Sequence, residues 1–246
     1  MKMTAEKFIE NHPSFTTGEF ADALQKGVPG IGRSTIYSIL KKKCDSGEIS
    51  RVSKGRFVHS ARKDYSYELS ETAKDIVALI QENYPLVEFQ IWELYQMNEF
   101  VNHLIAHNTF FISVSRHVEK AVFETLQEVG QWTLLHPSQD LYEQYWSDDM
   151  VIINRLISEA PMGDRPKWSP CLEKILVDIV ADKLIHDAIA ESEFAGIYQT
   201  AFERYIIDES ALFRYARRRN AEEKIRKLIA DKTEIELRVK QYAESR

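Results

Sequence analysis

Ten residues between positions 33 and 56 have the types and spacing to hold a polyanion. Arg33, Ser34, Thr35, Tyr37, Ser38, Lys41 and Lys42 fall on one side of a helical repeat, and Arg51, Lys54 and Arg56 follow shortly after. Short polar groups in a first turn and lysines further along suit a helix lying in the major groove of a duplex. The first turn would then meet base edges and phosphates, and the lysines the backbone. Tyr37 either contacts a phosphate or sugar, or packs as a partly buried aromatic against the segment that follows. The chemistry this set implies is binding rather than bond-making.

Other constellations are weaker. Asp178 and Asp182 lie one helical turn apart, with Glu173 and Lys174 nearby, a spacing that can share a metal or form an acid–base pair. They also flank a strongly apolar stripe, and a solvated or salt-bridged helix edge accounts for them. A nucleotidyltransferase requires a Gly-Ser turn followed by Asp-x-Asp, and neither occurs; Asp148 and Asp149 are adjacent and in a strand would point to opposite faces. The phosphate-cradling GxxxxGK[ST] loop is absent. Glu88-Phe89-Gln90 has glutamine where a nuclease Glu-x-Lys needs lysine. His103 and His107 are four apart, but no third metal ligand accompanies them. No catalytic residue, metal or cofactor is therefore expected. Arg214, Arg217, Arg218 and Arg219 concentrate charge near a helix end, where they bind an acidic partner, add DNA backbone contacts, or answer the helix dipole. Trp92, Trp132, Trp146 and Trp168 are core or interface aromatics.

The elements that must position the basic set begin with a short helix around Phe8 and Ile9, ended by Asn11-His12-Pro13 because the residue before proline leaves the helical region. Thr16-Thr17-Gly18-Glu19 is a capping-box pattern for a second helix carrying Phe20, Ala23 and Leu24. Gly27-Val28-Pro29-Gly30-Ile31-Gly32 breaks it. Ser34 is expected to cap a third helix with a buried stripe of Ile36, Ile39, Leu40 and Cys44, stopped by Asp45-Ser46-Gly47. Ile49-Ser50-Arg51-Val52 and Arg56-Phe57-Val58 then form two short strands joined by Ser53-Lys54-Gly55, with Ile49, Val52 and Phe57 inward and Arg51, Lys54 and Arg56 beside the duplex. This order of helix, helix, glycine-bearing turn, helix and basic hairpin resembles the winged-helix family over residues 3–60. Some winged helices contact only protein, which is the alternative use.

Charge and composition agree with that layout. Of 246 residues, 44% are hydrophobic and 28% charged, ordinary for a globular protein. Residues 1–63 hold 12 Lys/Arg and 6 Asp/Glu, so the remainder holds 20 and 32, and the overall charge of −6 divides into a basic head of +6 and an acidic body of −12. No charged leader with an apolar stretch and no run of eighteen apolar residues is present. Cys44 and Cys171 form no ligand cluster, so a cytoplasmic, reduced, metal-free protein without a membrane partner is expected.

The chain is expected to be mixed α+β, α/β. Residues 1–63 form a winged helix-turn-helix, 64–160 a small α/β sheet domain, and 161–246 a helical part packed on it. Polar residues 60–69 would connect the first two. A helix over 71–83 presents Ala73, Ile76, Val77 and Ile80 to one side, and strands fall at 86–92, 109–114, 132–135 and 149–153. Helices fall at 98–106, 117–129 and 138–146, and strand order stays open. Ser169-Pro170 predicts a helix start, with Leu172, Ile175, Leu176, Ile179, Val180 and Leu184 as its stripe. Further helices follow at 194–206, 209–219 and 221–243.

At Leu172-Glu173-Lys174-Ile175-Leu176-Val177-Asp178 the chain resembles the bacterial AbiEi-type antitoxins of type IV toxin–antitoxin systems. Leu212-Phe213-Arg214-Tyr215-Ala216-Arg217-Arg218-Arg219 is similar to a segment of an allied uncharacterised bacterial family. The resemblance implies autorepression of an operon and neutralisation of a nucleotidyltransferase-like toxin. The residues themselves lead to a sequence-specific DNA-binding regulator with operator DNA as partner. A nucleic-acid enzyme of nuclease type with a winged-helix targeting domain is the alternative.

Overall fold

The computed structural model describes residues 4–59, 62–162, 166 and 168–237, with the backbone alone at Val52, Ser53 and Asp187. It is a mixed α+β chain of helices and two small sheets. Two compact units share it: one takes in the chain up to Tyr65 together with Phe202–Ser210, the other Ser66–Ala201 and Ala211–Ile235.

The first unit runs α1 (Ala5–Asn11), β1 (Ser14–Thr16), α2 (Thr17–Gly27), α3 (Arg33–Asp45), β2 (Ile49–Ser53) and β3 (Arg56–His59). Its antiparallel sheet has the order β1-β3-β2. Helix α1 ends with His12 extended before Pro13. Strand β1 was not anticipated, since three residues carry no alternation; its pairing of Phe15 with Phe57 is tertiary in origin. The Thr16–Glu19 capping box forms, with each side chain bound to the other's backbone N–H. Ser34 is not a cap. Gly32 takes that place with no side-chain bond, and the Ile36 amide already closes the helix ladder on its carbonyl at 3.2 Å, leaving Ser34 inside the first turn.

Phe8, Phe15, Phe20 and Phe57 stack and meet edge-on at 5.4–5.7 Å between ring centres, over Ile9, Leu24, Ile36, Leu40 and Ile49. Each such side chain, fully buried, contributes roughly 1.5–3 kcal/mol, so this small unit holds its helices by packing. Ile39 and Cys44 complete the stripe from the helix edge, partly buried. The hairpin turn is shorter than expected, because Ser53 joins β2 across a register shift and leaves Lys54-Gly55, with Gly55 at φ +74°. The expected inward packing of Val52 lies outside the described side chains. Positions 60 and 61 of the expected connection lie outside the described residues. The segment just after them is more than a linker: the Lys63 amide donates to the Arg204 carbonyl, and the Ile206 amide to that of Lys63, both at 3.0 Å.

The following chain contains α4 (Glu71–Asn83), β4 (Phe89–Glu93), β5 (Thr109–Val114), α5 (Glu119–Glu128), β6 (Thr133–Leu135), α6 (Gln139–Tyr145), β7 (Met150–Arg155), α7 (Leu172–Ala181), α8 (Phe194–Arg204), α9 (Glu209–Arg218) and α10 (Glu222–Lys232). The sheet order is β4-β5-β7-β6, with β4 antiparallel to β5 and the others parallel. Ala73, Ile76, Val77 and Ile80 of α4 and Val122 and Leu126 of α5 pack on Phe110, Ile112, Val151 and Ile153.

Three expected helices differ. Over 98–106 a short 3-10 helix, Leu94–Glu99, gives way to a loop that the Asn98 side chain closes, its Oδ1 accepting the Ile105 amide at 2.7 Å; a short amide side chain here competes with the helix ladder. The helix expected from Ser169-Pro170 begins at Leu172 with Cys171 as an uncapped N-terminus, since Pro170 is taken by a bridge to Met162. It is buried on every side from Leu172 to Val180, and stops before Leu184, which lies in the 3-10 helix Lys183–Asp187. The helix expected over 221–243 stops at Lys232, where the Thr233 hydroxyl donates to the Ile229 carbonyl at 2.7 Å; positions 238–243 of that expectation lie outside the described residues.

Candidate nucleic-acid interface

Helix α3 divides its side chains cleanly. Ile36 and Leu40 are 1% and 2% exposed in the aromatic core, while Arg33, Ser34, Thr35, Tyr37, Ser38, Lys41 and Lys42 are exposed. Tyr37 is 60% exposed, so of its two sequence-level options the structure holds it out in solvent. Lys43 turns the other way and forms ion pairs with Glu48 at 2.5 Å and Glu6 at 3.4 Å. Burial works to lower its pKa, and these two carboxylates outweigh that and raise it. The first turn of α3 contains no acidic residue, so the partial positive charge of the helix N-terminus adds to that of Arg33.

The hairpin contributes exposed Arg51, Lys54 and Arg56. Its turn is tied to α2: the Gly55 carbonyl accepts the Thr17 amide at 2.8 Å and the Thr17 hydroxyl at 3.3 Å. Thr17 is a positioning residue that the motif reading used only as part of a capping box. Arg56 lies near enough to Glu19 to attract it, but the bonds from the Thr16 amide and hydroxyl are the larger reasons that this carboxyl sits below its ordinary pKa. Among the described residues, no carboxylate forms an ion pair with Arg33, Lys41, Lys42, Lys54 or Arg56. All ten residues singled out from the sequence therefore belong to one unit and are exposed there.

The remaining candidates have different surroundings. Asp178 is buried, with one oxygen 2.6 Å from Lys174 Nζ and the other accepting the Tyr215 hydroxyl at 2.9 Å. Lys174 is itself 1% exposed. Burial, helped by the Asp178 charge, drives the Tyr215 phenol far above its ordinary pKa. The sequence placed Asp178 at a salt-bridged or solvated edge; it is salt-bridged and buried. Glu88 is exposed and Gln90 buried, its side-chain amide donating to the Pro161 carbonyl at 2.9 Å. His103 pairs with Glu193 at 3.2 Å, and His107 packs edge-on against Trp146. Among the described residues no three His, Cys, Asp or Glu side chains form a metal-holding group. The four arginines disperse: Arg214 is exposed, Arg217 bonds Glu222, Arg218 bonds Glu159 at 2.7 Å, and Arg219 turns toward Asp178 and Asp182. Trp92 is core, stacked on Phe111, whereas Trp132 and Trp146 are 51% and 42% exposed. No described helix is long and apolar enough to cross a membrane.

The model of a family described as a family of unknown function (DUF6577) matches residues 35–235, from the first turn of α3 to beyond α10. No curated protein matches the chain. Among solved structures, the crystal structure of the RV2827C protein from Mycobacterium tuberculosis aligns over 95% of this chain and 81% of that one, at 11% identity and a TM-score of 0.25.

Proposed function

The chain belongs to the DUF6577 family of unknown function, and we propose that it is a sequence-specific transcriptional regulator binding double-stranded DNA through a winged helix-turn-helix. The observation that carries this is the outer face of α3, where Arg33, Ser34, Thr35, Tyr37, Ser38, Lys41 and Lys42 are all exposed, as are Arg51, Lys54 and Arg56 of the hairpin that follows. The order helix, strand, helix, helix, hairpin, with the first strand closing a three-stranded sheet, supports the winged-helix assignment. In this reading α3 is the recognition helix and β2–β3 the wing. At 13 residues α3 spans about 20 Å and fits a groove roughly 12 Å wide. Arg33 can bond guanine bidentately, Thr35 and Ser38 reach base edges, and Lys41, Lys42, Arg51, Lys54 and Arg56 neutralise phosphates.

One recognition helix covers a short site, so two copies on repeated half-sites provide the length an operator needs. The further proposal of an autorepressing antitoxin with a nucleotidyltransferase-like toxin rests on the sequence resemblance at Leu172–Asp178. Co-expression with such a toxin encoded beside it tests that proposal: the pair should co-purify and growth should be restored.

DNA binding is tested by fluorescence anisotropy on a fragment of the chain's own promoter. With about six phosphate contacts, affinity should fall on the order of a thousandfold between about 50 and 200 mM salt. Replacing Lys41 and Lys42 by Ala should weaken binding to every sequence, whereas Thr35→Ala or Ser38→Ala should chiefly alter base preference. A double lysine variant that binds the promoter unchanged removes α3 from the interface and overturns the proposal.

A further inference from the structure

The second unit holds a cavity of about 580 Å³ at the carboxyl end of its parallel strands. Asn154 and Arg155, the last two residues of β7, line it with Gln139 from the start of α6, and with Asp182, Lys183 and Arg219. Helix α5, which follows β5, packs into the core on one sheet face through Val122 and Leu126. Helix α6, which follows β6, instead touches the 3-10 helix Lys183–Asp187, whose Ile185 lines a crevice with Trp92 and Phe111 of the opposite face. Connections that part in this way open a crevice beyond the strand ends, the place where open α/β sheets take their ligands. The volume falls within the roughly 300–1,000 Å³ of small-molecule sites.

The lining carries three cations against one carboxylate. Arg155 is anchored by Glu119, which accepts its Nε–H at 2.9 Å, yet its side chain stays 54% exposed. Lys183 is exposed. Arg219 faces two acids without hydrogen-bonding either: its Nε is 3.5 Å from Asp178 Oδ1 and its Nη2 3.8 Å from Asp182 Oδ2. That buried Nε has no hydrogen-bond acceptor. One layer deeper, Lys174 and Tyr215 each bond one oxygen of Asp178. Asp178, buried, and Asp182, half-buried, thus draw the Arg219 guanidinium toward them without a hydrogen bond. Two guanidinium groups and an ammonium are a phosphate-binding set, because planar forks match phosphate oxygens and an ammonium adds a point charge. The amides of Gln139 and Asn154 supply neutral donors and acceptors beside them.

An inorganic ion alone would leave most of this volume empty. We propose that the cavity binds a small organic phosphate, the size of a nucleoside monophosphate or sugar phosphate, with its phosphate held among Arg155, Lys183 and Arg219. The proposal does not depend on DNA binding, since every residue it uses lies in the second unit.

Isothermal titration of the full chain with inorganic phosphate, ribose 5-phosphate, a panel of nucleoside monophosphates and a short single-stranded oligonucleotide tests it. One of the small organic phosphates should bind saturably, one per chain, and at least about tenfold more tightly than inorganic phosphate. Arg155→Gln and Lys183→Ala, both at exposed positions, should each weaken that binding about tenfold with the circular dichroism spectrum unchanged. Arg219→Lys, which keeps the charge and loses the fork, should weaken it as well, while Lys41→Ala should leave it alone. The assignment is overturned if no organic phosphate outcompetes inorganic phosphate, if Arg155→Gln and Lys183→Ala bind as the wild type does, or if those variants lose only oligonucleotide binding. A chain that fails to bind promoter DNA yet binds the monophosphate would sink the regulator reading alone.

Discussion

Helices α3 and α7 both carry charge next to an apolar stripe, and they treat it in opposite ways. In α3, Lys41 and Lys42 are exposed and answered by no carboxylate among the described residues. In α7, Lys174 is 1% exposed and sits 2.6 Å from Asp178, which Tyr215 also bonds. The first helix leaves its charge in solvent; the second pairs its charge inside. A residue type and a helical position do not separate the two cases. What separates them is whether a distant part of the chain closes over the charge, here Tyr215 of α9 and Arg219 just beyond it, which both meet Asp178.

The contrast can be broken by substitutions whose effects should fall in a set order. Asp178→Ala strands Lys174 in the interior, and losing one partner of a buried pair costs about 3–5 kcal/mol, to be read from urea unfolding. Lys174→Met should cost less, since Asp178 keeps the Tyr215 hydroxyl. Next comes Lys41→Ala with Lys42→Ala: DNA affinity should drop about ten- to a hundredfold, or roughly 1.4–2.8 kcal/mol, while stability shifts by no more than about 0.5 kcal/mol. A large loss of stability in that variant would mean α3 uses its lysines internally, and the comparison fails. Thr16→Ala removes the side-chain half of the capping box and should cost about 1 kcal/mol in unfolding of the first unit, with Thr16→Ser restoring most of it.

The smallest effect concerns pH. Burial is the main reason the Asp182 carboxyl is raised above its ordinary 3.8; the Leu184 amide and Arg219 oppose the rise and Asp178 adds to it. The folded chain therefore holds that proton more tightly than the unfolded chain does, and Asp182 favours folding less as pH climbs from 3.8 through the raised value. Asp182→Asn should abolish that decline, so wild type minus variant stability should decrease across this window in paired denaturant titrations. A flat difference would place Asp182 in contact with water.

Local signals were legible wherever neighbours in sequence are also neighbours in space. The capping box at Thr16–Glu19, the apolar face of α4, and the division of α3 into a buried stripe and a polar face all follow from spacing within one or two turns. Ser34 misled because capping propensity gives no account of Gly32 one residue outside the helix, already extended and entering the ladder. Strand β1 and the sheet order were illegible for a different reason: each depends on pairing with residues far along the chain. The same holds for Arg155, Lys183 and Arg219, which no common motif links. The one available signal was Asn154-Arg155 directly after an apolar strand, a change in polarity at the carboxyl end where sheets place their sites. Trp132 and Trp146 were legible only as large aromatics, since exposure is a property of the assembled surface.

The tie between Lys63 and residues 204–206 bears on how the first unit comes into being. Translation delivers its helices and hairpin early, but the segment that stitches their end emerges just over 140 residues later. At a ribosome adding about 5–20 residues per second, that gap lasts on the order of ten seconds or more. For that time the nascent head is incomplete, and Tyr65 lacks the Tyr205 ring that it meets edge-on at 5.1 Å in the finished molecule. A gene cut after residue 65 would make that interim state permanent, so its product should be digested by protease faster than the same segment in the whole chain.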